Sequence, residues 1–82
     1  MRLEIKSSDR IGVSQEILAI FAQHSWNLRA MEVARYFTYV HVEQENLALN
    51  EVKLALANVQ GIIYCKTLDL LPSERRESHL QA

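Results

Sequence analysis

The spacing of apolar residues changes near residues 7–14, and this change limits the folds that the chain can adopt. Residues 1–7 alternate apolar and charged side chains, the period-2 pattern of a strand buried on one face. Further on, the apolar residues recur every three or four positions, at Val13, Ile17, Ile20 and Phe21. This spacing predicts an amphipathic helix that ends near Ser25. The chain therefore begins with a strand that leads directly into a helix.

The middle of the chain predicts a pair of strands. Residues 27–33 and 36–43 read as extended segments, and a tight turn around Ala34 and Arg35 joins them. The second segment is the clearer one, because it alternates and is rich in aromatic and β-branched side chains.

A second helix and a final strand follow this hairpin. Asn46 is the predicted N-cap of a helix of about a dozen residues. Its apolar positions are spaced at i, i+3, i+7 and i+10: Leu49, Val52, Leu56 and Val59. Gly61 then falls where a left-handed C-cap favours glycine. Residues 62–70 predict the last strand, which Pro72 ends.

The predicted order of elements is β-α-β-β-α-β. Two crossovers of this type on one sheet produce the ferredoxin-like α+β sandwich. We therefore expect a four-stranded antiparallel sheet with both helices on one face.

Length and charge restrict the function classes. A chain of 82 residues provides a single domain with a modest core, and its 49% hydrophobic content leaves apolar surface for a homodimer. Nine basic and ten acidic residues give a net charge of −1, which argues against a nucleic-acid interface. The apolar runs are too short to span a membrane, and charges occupy the N-terminus where a signal peptide needs an apolar core. A cytoplasmic protein is expected.

Catalytic, metal and cofactor sites are not predicted. Cys65 is the only cysteine, so no intrachain disulfide or cysteine-rich metal site is expected. The three histidines, His24, His41 and His79, are far apart in sequence and pair with no nucleophile or carboxylate in a recognisable order. We therefore predict that the chain is not an enzyme.

The loop between the first strand and the first helix is the candidate binding site. It contains Asp9, Arg10 and Gly12, and a helix start presents unpaired N–H groups that favour a carboxylate. Gly12 lets a ligand or a neighbouring backbone approach closely. A purely structural interpretation also accounts for these residues, with Asp9 or Ser8 capping the helix and Gly12 forming a tight turn.

The loop resembles that of an ACT domain, the small-molecule sensing module of amino-acid metabolism. The resemblance rests on Asp9-Arg10-Ile11-Gly12-Val13 with the helix after it, on Val59-Gln60-Gly61-Ile62, and on the order of elements. It covers about residues 1–70 and implies side-by-side pairing of two copies with an amino acid bound at their interface.

A narrower resemblance points to the tyrosine-repressor family of bacterial transcriptional regulators. It rests on MRLEI, SSDRIGVSQEIL and LPSERRESHL. In that family an N-terminal ACT domain precedes a PAS domain, an ATPase core and a DNA-binding helix-turn-helix. We therefore expect residues 1–71 to form the regulatory domain and residues 72–82 a charged linker toward a following PAS-like domain. The P-loop and the helix-turn-helix are absent from this sequence, so ATP and DNA binding are assigned to neither segment.

The resemblance also implies ligands and partners. The effector would be an aromatic amino acid (Tyr, Phe or Trp), whose charged end would meet the backbone of the loop. The ligand-binding residues would be Arg10, Ile11, Gly12 and Val13, with Asn27 as a candidate for the amine. RNA polymerase is a further expected partner, through Arg2, Asp9 and Arg10.

Two alternatives to a sensing domain stay open at this point. The chain can serve as a dimerisation or protein-interaction module that binds no small ligand, and some ACT domains do only this. It can also be the regulatory domain of an amino-acid biosynthetic enzyme, although the LPSERRESHL exit argues against that assignment.

Overall fold

The computed structural model of this chain describes residues 1–75. The last part of the predicted linker, including His79, lies outside the described residues. Six elements follow one another in the predicted order: β1 (Arg2–Ser7), α1 (Val13–Gln23), β2 (Leu28–Ala34), β3 (Phe37–Val42), α2 (Leu49–Leu56) and β4 (Ile62–Leu68).

The four strands form one antiparallel sheet with the order β2-β3-β1-β4. β1 is central and pairs with β3 on one side and with β4 on the other. This is the strand order of a ferredoxin-like sandwich, and the predicted fold is confirmed. Because β1 and β2 both run antiparallel to β3, they run parallel to each other.

The core lies between the two helices and one face of the sheet. Alternate residues of β1 and β3 are buried there, and each helix contributes one apolar stripe. The most deeply buried side chains are Leu3, Ile5, Ile17, Phe21, Val40, Val42, Val52 and Leu56. Full burial of one such side chain is worth about 1.5–3 kcal/mol, so this interlocking set is the main source of stability. The period-2 and period-3.6 patterns of the sequence predicted these faces correctly.

The start of α2 differs from the prediction. The N-cap is Ala48, not Asn46, and the helix has eight residues, Leu49–Leu56, not about a dozen. Leu47 packs against the core, and Val52 is fully buried within it. These two residues occupy the N′ and N4 positions of a hydrophobic staple, so apolar contact sets where the helix begins. The capping preference of Asn46 is overridden.

The end of α1 agrees with the prediction. His24 is the C-cap, and Ser25 adopts a left-handed conformation with φ of 58° that turns the chain toward β2. Trp26 then packs edge-on against Phe21, with 5.4 Å between ring centroids, and stacks on His24 at 4.3 Å. Within residues 1–75, neither helix has the length and apolar character that crossing a membrane requires.

Candidate functional site: the loop between β1 and α1

Gly12 is itself the N-cap of α1. It adopts a left-handed conformation with φ of 83°, and its carbonyl accepts the first helical hydrogen bond from the N–H of Glu16 at 3.0 Å. A Cβ at this position would project into open space, since the nearest atom beyond its chain neighbours, Oε1 of Gln15, would lie 4.0 Å away. Gly12 therefore provides both the left-handed turn and unobstructed access to the helix start.

The alternative in which Asp9 or Ser8 caps the helix is not what the structure shows. The carboxylate of Asp9 instead accepts a hydrogen bond from Nε of Arg35 at 2.9 Å, across the β2–β3 turn. Both side chains are well exposed, so this ion pair contributes little stability. It places the β2–β3 turn beside the candidate loop.

Arg10 connects the loop to the turn before β4. Its guanidinium donates to the carbonyl of Gln60 from Nε at 3.1 Å and from Nη2 at 2.8 Å. Nη2 also donates to the carboxylate of Glu16 in the first turn of α1. The sequence predicted an outward contact for Arg10, and in the structure two of its guanidinium nitrogens, Nε and Nη2, donate within the chain.

Gly61 forms the other half of this connection. Its carbonyl accepts a hydrogen bond from the N–H of Ser8 at 2.9 Å, and its φ of 92° is left-handed. A Cβ on Gly61 would lie only 2.4 Å from Oγ of Ser8. The predicted left-handed conformation is confirmed. The predicted C-cap role is wrong, because α2 ends at Leu56 with Ala57 as its right-handed C-cap.

Ile11 and Val13 have opposite environments although they are two positions apart. The side chain of Ile11 is 99% exposed at the tip of the loop, whereas that of Val13 is buried in the core. Val13 can therefore meet a ligand only through its backbone. Ile11 offers an apolar side chain to a molecule outside the chain, directly after the charged residues Asp9 and Arg10.

Asn27 lies far from the loop. It directly precedes β2, and its carbonyl accepts a hydrogen bond from the N–H of Glu43. Because β1 and β2 are parallel, the residue before β2 and the loop after β1 lie at opposite ends of the sheet. One chain therefore does not bring Asn27 together with residues 10–13.

Arg2 also lies away from Asp9 and Arg10. It begins β1, about 16 Å of strand before the loop at 3.3 Å per residue. Its guanidinium donates to both carboxylate oxygens of Glu74, from Nε at 2.7 Å and from Nη2 at 2.8 Å. The three residues predicted to contact one partner are thus divided between two sites.

The sequence analysis missed three hydrogen-bond acceptors: the main-chain carbonyl of Gln60, the carboxylate of Glu74 and the carboxylate of Glu32. The last of these accepts hydrogen bonds from Ser73. A main-chain carbonyl has no residue signature that could have revealed it. For Glu74 a signal was present, because Pro72 and Glu74 occupy the N1 and N3 positions of a helix start.

The strand order and the helix-covered face place the chain in the ferredoxin-like class of α+β domains, with open space around Gly12 at the start of α1. No protein-family model matches the chain. The whole chain is similar to proteins named HTH-type transcriptional regulatory protein TyrR: 31% identical over 86 aligned positions in Enterobacter agglomerans, 28% in Citrobacter braakii and 27% in Salmonella typhimurium.

The chain spans 16% of the length of each of these relatives. This similarity to a part of the tyrosine-repressor regulators confirms the narrower of the two resemblances inferred from the sequence.

Proposed function

We propose that this chain is the N-terminal ACT domain of a cytoplasmic transcriptional regulator of the tyrosine-repressor family, that it forms a homodimer, and that the dimer senses an aromatic amino acid. The regulatory role is supported by the names of the relatives, and the ACT assignment by the fold and the loop. The proposal includes no catalytic activity, cofactor or contact with nucleic acid by this domain.

The observation that carries the proposal is the separation of Asn27 from the loop. Two copies paired antiparallel through their β2 edges would bring the start of β2 in one copy to the end of β2 in the other. The loop lies beside that end, where Nε of Arg35 donates to the carboxylate of Asp9. Asn27 of one copy and the open backbone at Gly12 of the other would then face the same space, with groups for an amine and for a carboxylate.

The β2 edge carries exposed apolar residues that suit this pairing. Val33 on β2 is 60% exposed. Leu18 on α1 is 47% exposed. Glu16 and Ile20 line the gap between the two helices, so the 100° helical step places Leu18 on the other side of α1. Since α2 packs against β4, that side of α1 lies toward β2. Val33 and Leu18 thus add exposed apolar area beside the free edge of β2, as a dimer interface requires.

The dimer is tested by sedimentation of the native chain and of Val33→Glu. We expect the native chain to sediment as a dimer and Val33→Glu as a 9.5 kDa monomer. Leu54→Glu is the matched control, because Leu54 is 75% exposed on α2 and should tolerate the same change without loss of the dimer. A native chain that stays monomeric at high concentration would reject the dimer, and loss of the dimer in Leu54→Glu alone would reject the β2 edge.

Ligand sensing is tested by isothermal titration of the dimer with Tyr, Phe and Trp. We expect heat from at least one of them at millimolar concentration, and its loss in Asn27→Ala. Asn58→Ala is the matched control, since Asn58 is exposed in the turn after α2. The absence of heat from all three amino acids would rule out sensing by this chain and leave a dimerisation module.

Contact with RNA polymerase is a second candidate function, and the exposure of Ile11 favours it. An apolar side chain that is 99% exposed directly after two charged residues is suited to a protein partner. Binding of purified polymerase to immobilised chain should weaken in Ile11→Asp, and it should persist in Leu54→Asp. Equal binding by both variants would exclude the loop tip as the contact.

A further inference from the structure

The residues after β4 turn back onto the face of the sheet that the helices leave open. Leu71 is buried, and residues 72–75, the exit turn, form one helical turn. The turn is closed by a hydrogen bond from the N–H of Arg75 to the carbonyl of Leu71 at 3.0 Å. The start of the segment predicted as a linker is therefore ordered against the sheet.

Arg2 anchors the exit turn from β1. Its side chain and that of Glu74 are each about 30% exposed, and two parallel hydrogen bonds join them. Oε1 of Glu74 also accepts the N–H of Leu71 at 2.8 Å, which caps the turn. A bidentate arginine–carboxylate pair adds directional specificity to charge attraction. Glu74 thus holds the exit turn together and attaches it to the sheet.

Glu32 anchors the same turn from β2. Its carboxylate accepts the N–H of Ser73 at 3.1 Å and also the hydroxyl of that residue. In the sheet, β3 lies between β1 and β2, so the two anchors stand on strands that are not neighbours. The exit turn therefore bridges β3. Two anchors on separate strands fix its direction as well as its position.

We propose that Arg2 is a positioning residue, whose guanidinium holds the exit turn on the open face of the sheet and fixes its course across β3. The relevance of this contact to regulation rests on the proposed function, in which Arg2 acts by positioning the exit turn and not by touching a partner. This assignment replaces the outward contact that the sequence predicted for Arg2. It leaves Ile11 and Asp9, at the other end of β1, as the exposed contact candidates.

The test exchanges the two charges in the full 82-residue chain and measures amide hydrogen exchange at Ser73 and Arg75. Arg2→Glu and Glu74→Arg should each reduce protection of both amides by at least about tenfold, since a charged hydrogen-bonded pair is lost. The double variant, Arg2→Glu with Glu74→Arg, should regain a large part of that protection. Arg29→Glu, an exposed arginine on β2, is the control for the change in charge and should leave both amides protected.

Two results would overturn the proposal: protection in the single variants equal to that in Arg29→Glu, or no recovery in the double variant. Amide protection in β1 and α1 reports folding in the same experiment. Should a charge reversal unfold the chain, Arg2→Gln keeps the proposal testable, since it must still release Ser73 and Arg75. The experiment contains no amino acid and no polymerase, so its outcome is separate from that of the proposed function.

Discussion

Arg10 and Arg2 both join the N-terminal part of the chain to a distant segment, but their acceptors differ. Arg10 donates to the main-chain carbonyl of Gln60, 50 residues later, in a turn that Gly61 shapes. Arg2 donates to the carboxylate of Glu74, 72 residues later. We call the first contact region the loop junction (residues 8–12 with 60–61) and the second the exit junction (residue 2 with 71–74).

The loop junction depends on backbone shape, and the exit junction depends on charge. The main-chain carbonyl of residue 60 is present whatever the side chain of that residue is. A change in the backbone conformation of the turn is therefore needed to move this acceptor. A carboxylate can be neutralised, reversed or protonated. The two arginines that the sequence assigned to one role should therefore respond to different perturbations.

The largest expected effect is on the loop junction. Gly61→Ala should lower the free energy of unfolding by about 2–5 kcal/mol, because the alanine would be left-handed and its Cβ would be overpacked against Ser8. Gly12→Ala, with the same left-handed backbone and open space around it, should cost only about 1–2 kcal/mol. Urea denaturation of both variants provides the comparison.

Ser8→Ala should then rescue part of the loss in Gly61→Ala. It removes the oxygen at 2.4 Å and leaves Cβ of Ser8, at 3.6 Å, as the nearest atom. Equal losses in the two glycine variants, or no rescue, would show that close contact does not shape the loop junction.

An intermediate effect is expected from removing the arginine of the loop junction. Arg10→Ala should cost about 1 kcal/mol, because the hydrogen bonds it removes are exposed to solvent. Arg10→Lys should recover little, since an ammonium cannot form the two-pronged contact with one carbonyl. Arg29→Ala should stay within about 0.5 kcal/mol of the native chain in the same denaturation assay. Full recovery by lysine would mean that charge alone holds this junction.

The smallest effect on overall stability is expected at the exit junction, where pH is the perturbation. The hydrogen bonds from Arg2, and then that from Leu71, lower the pKa of Glu74 from 4.5 to about 2. Its contribution is therefore complete above pH 4.5 and is lost as the pH falls through about 2. Arg2→Ala should raise this pKa toward 4.5 in a carboxyl-carbon NMR titration. An unchanged titration midpoint would contradict the pairing.

His41 provides a second readout of the same junction. Burial, and after it the positive charge of Arg2, lowers the pKa of His41, while Glu74 acts in the opposite direction. Arg29 and the N-terminal amine also lower it, and they remain in the Arg2→Ala variant. The pKa of His41 should therefore rise modestly in Arg2→Ala.

The fold could be predicted from sequence because its information is local. Alternation in residues 1–7 and helical spacing after Val13 indicate which faces of β1 and α1 are buried. The order of the elements follows from where each such pattern begins and ends along the chain. The start of α2 could not be predicted in this way. Leu47 and Val52 set it by packing against a core that other elements complete.

The candidate site was predictable only in part, for a related reason. Gly12 could be identified from its place between a strand and a helix, and its left-handed conformation agrees with that reading. The partners of Arg10 and Arg2 lie 50 and 72 residues away and are brought close only by the folded sheet. The distance of Asn27 from the loop likewise follows from strand direction, which a residue pattern does not reveal.

The parallel course of β1 and β2 has a consequence for how this chain would respond in a cell. A binding site completed by Asn27 from one copy and the loop of another makes ligand binding and self-association a single linked equilibrium. The apparent affinity for the amino acid would then rise with the concentration of the protein itself. Expression level would set the threshold of the sensor, and ligand binding would strengthen self-association by the same factor by which self-association strengthens ligand binding.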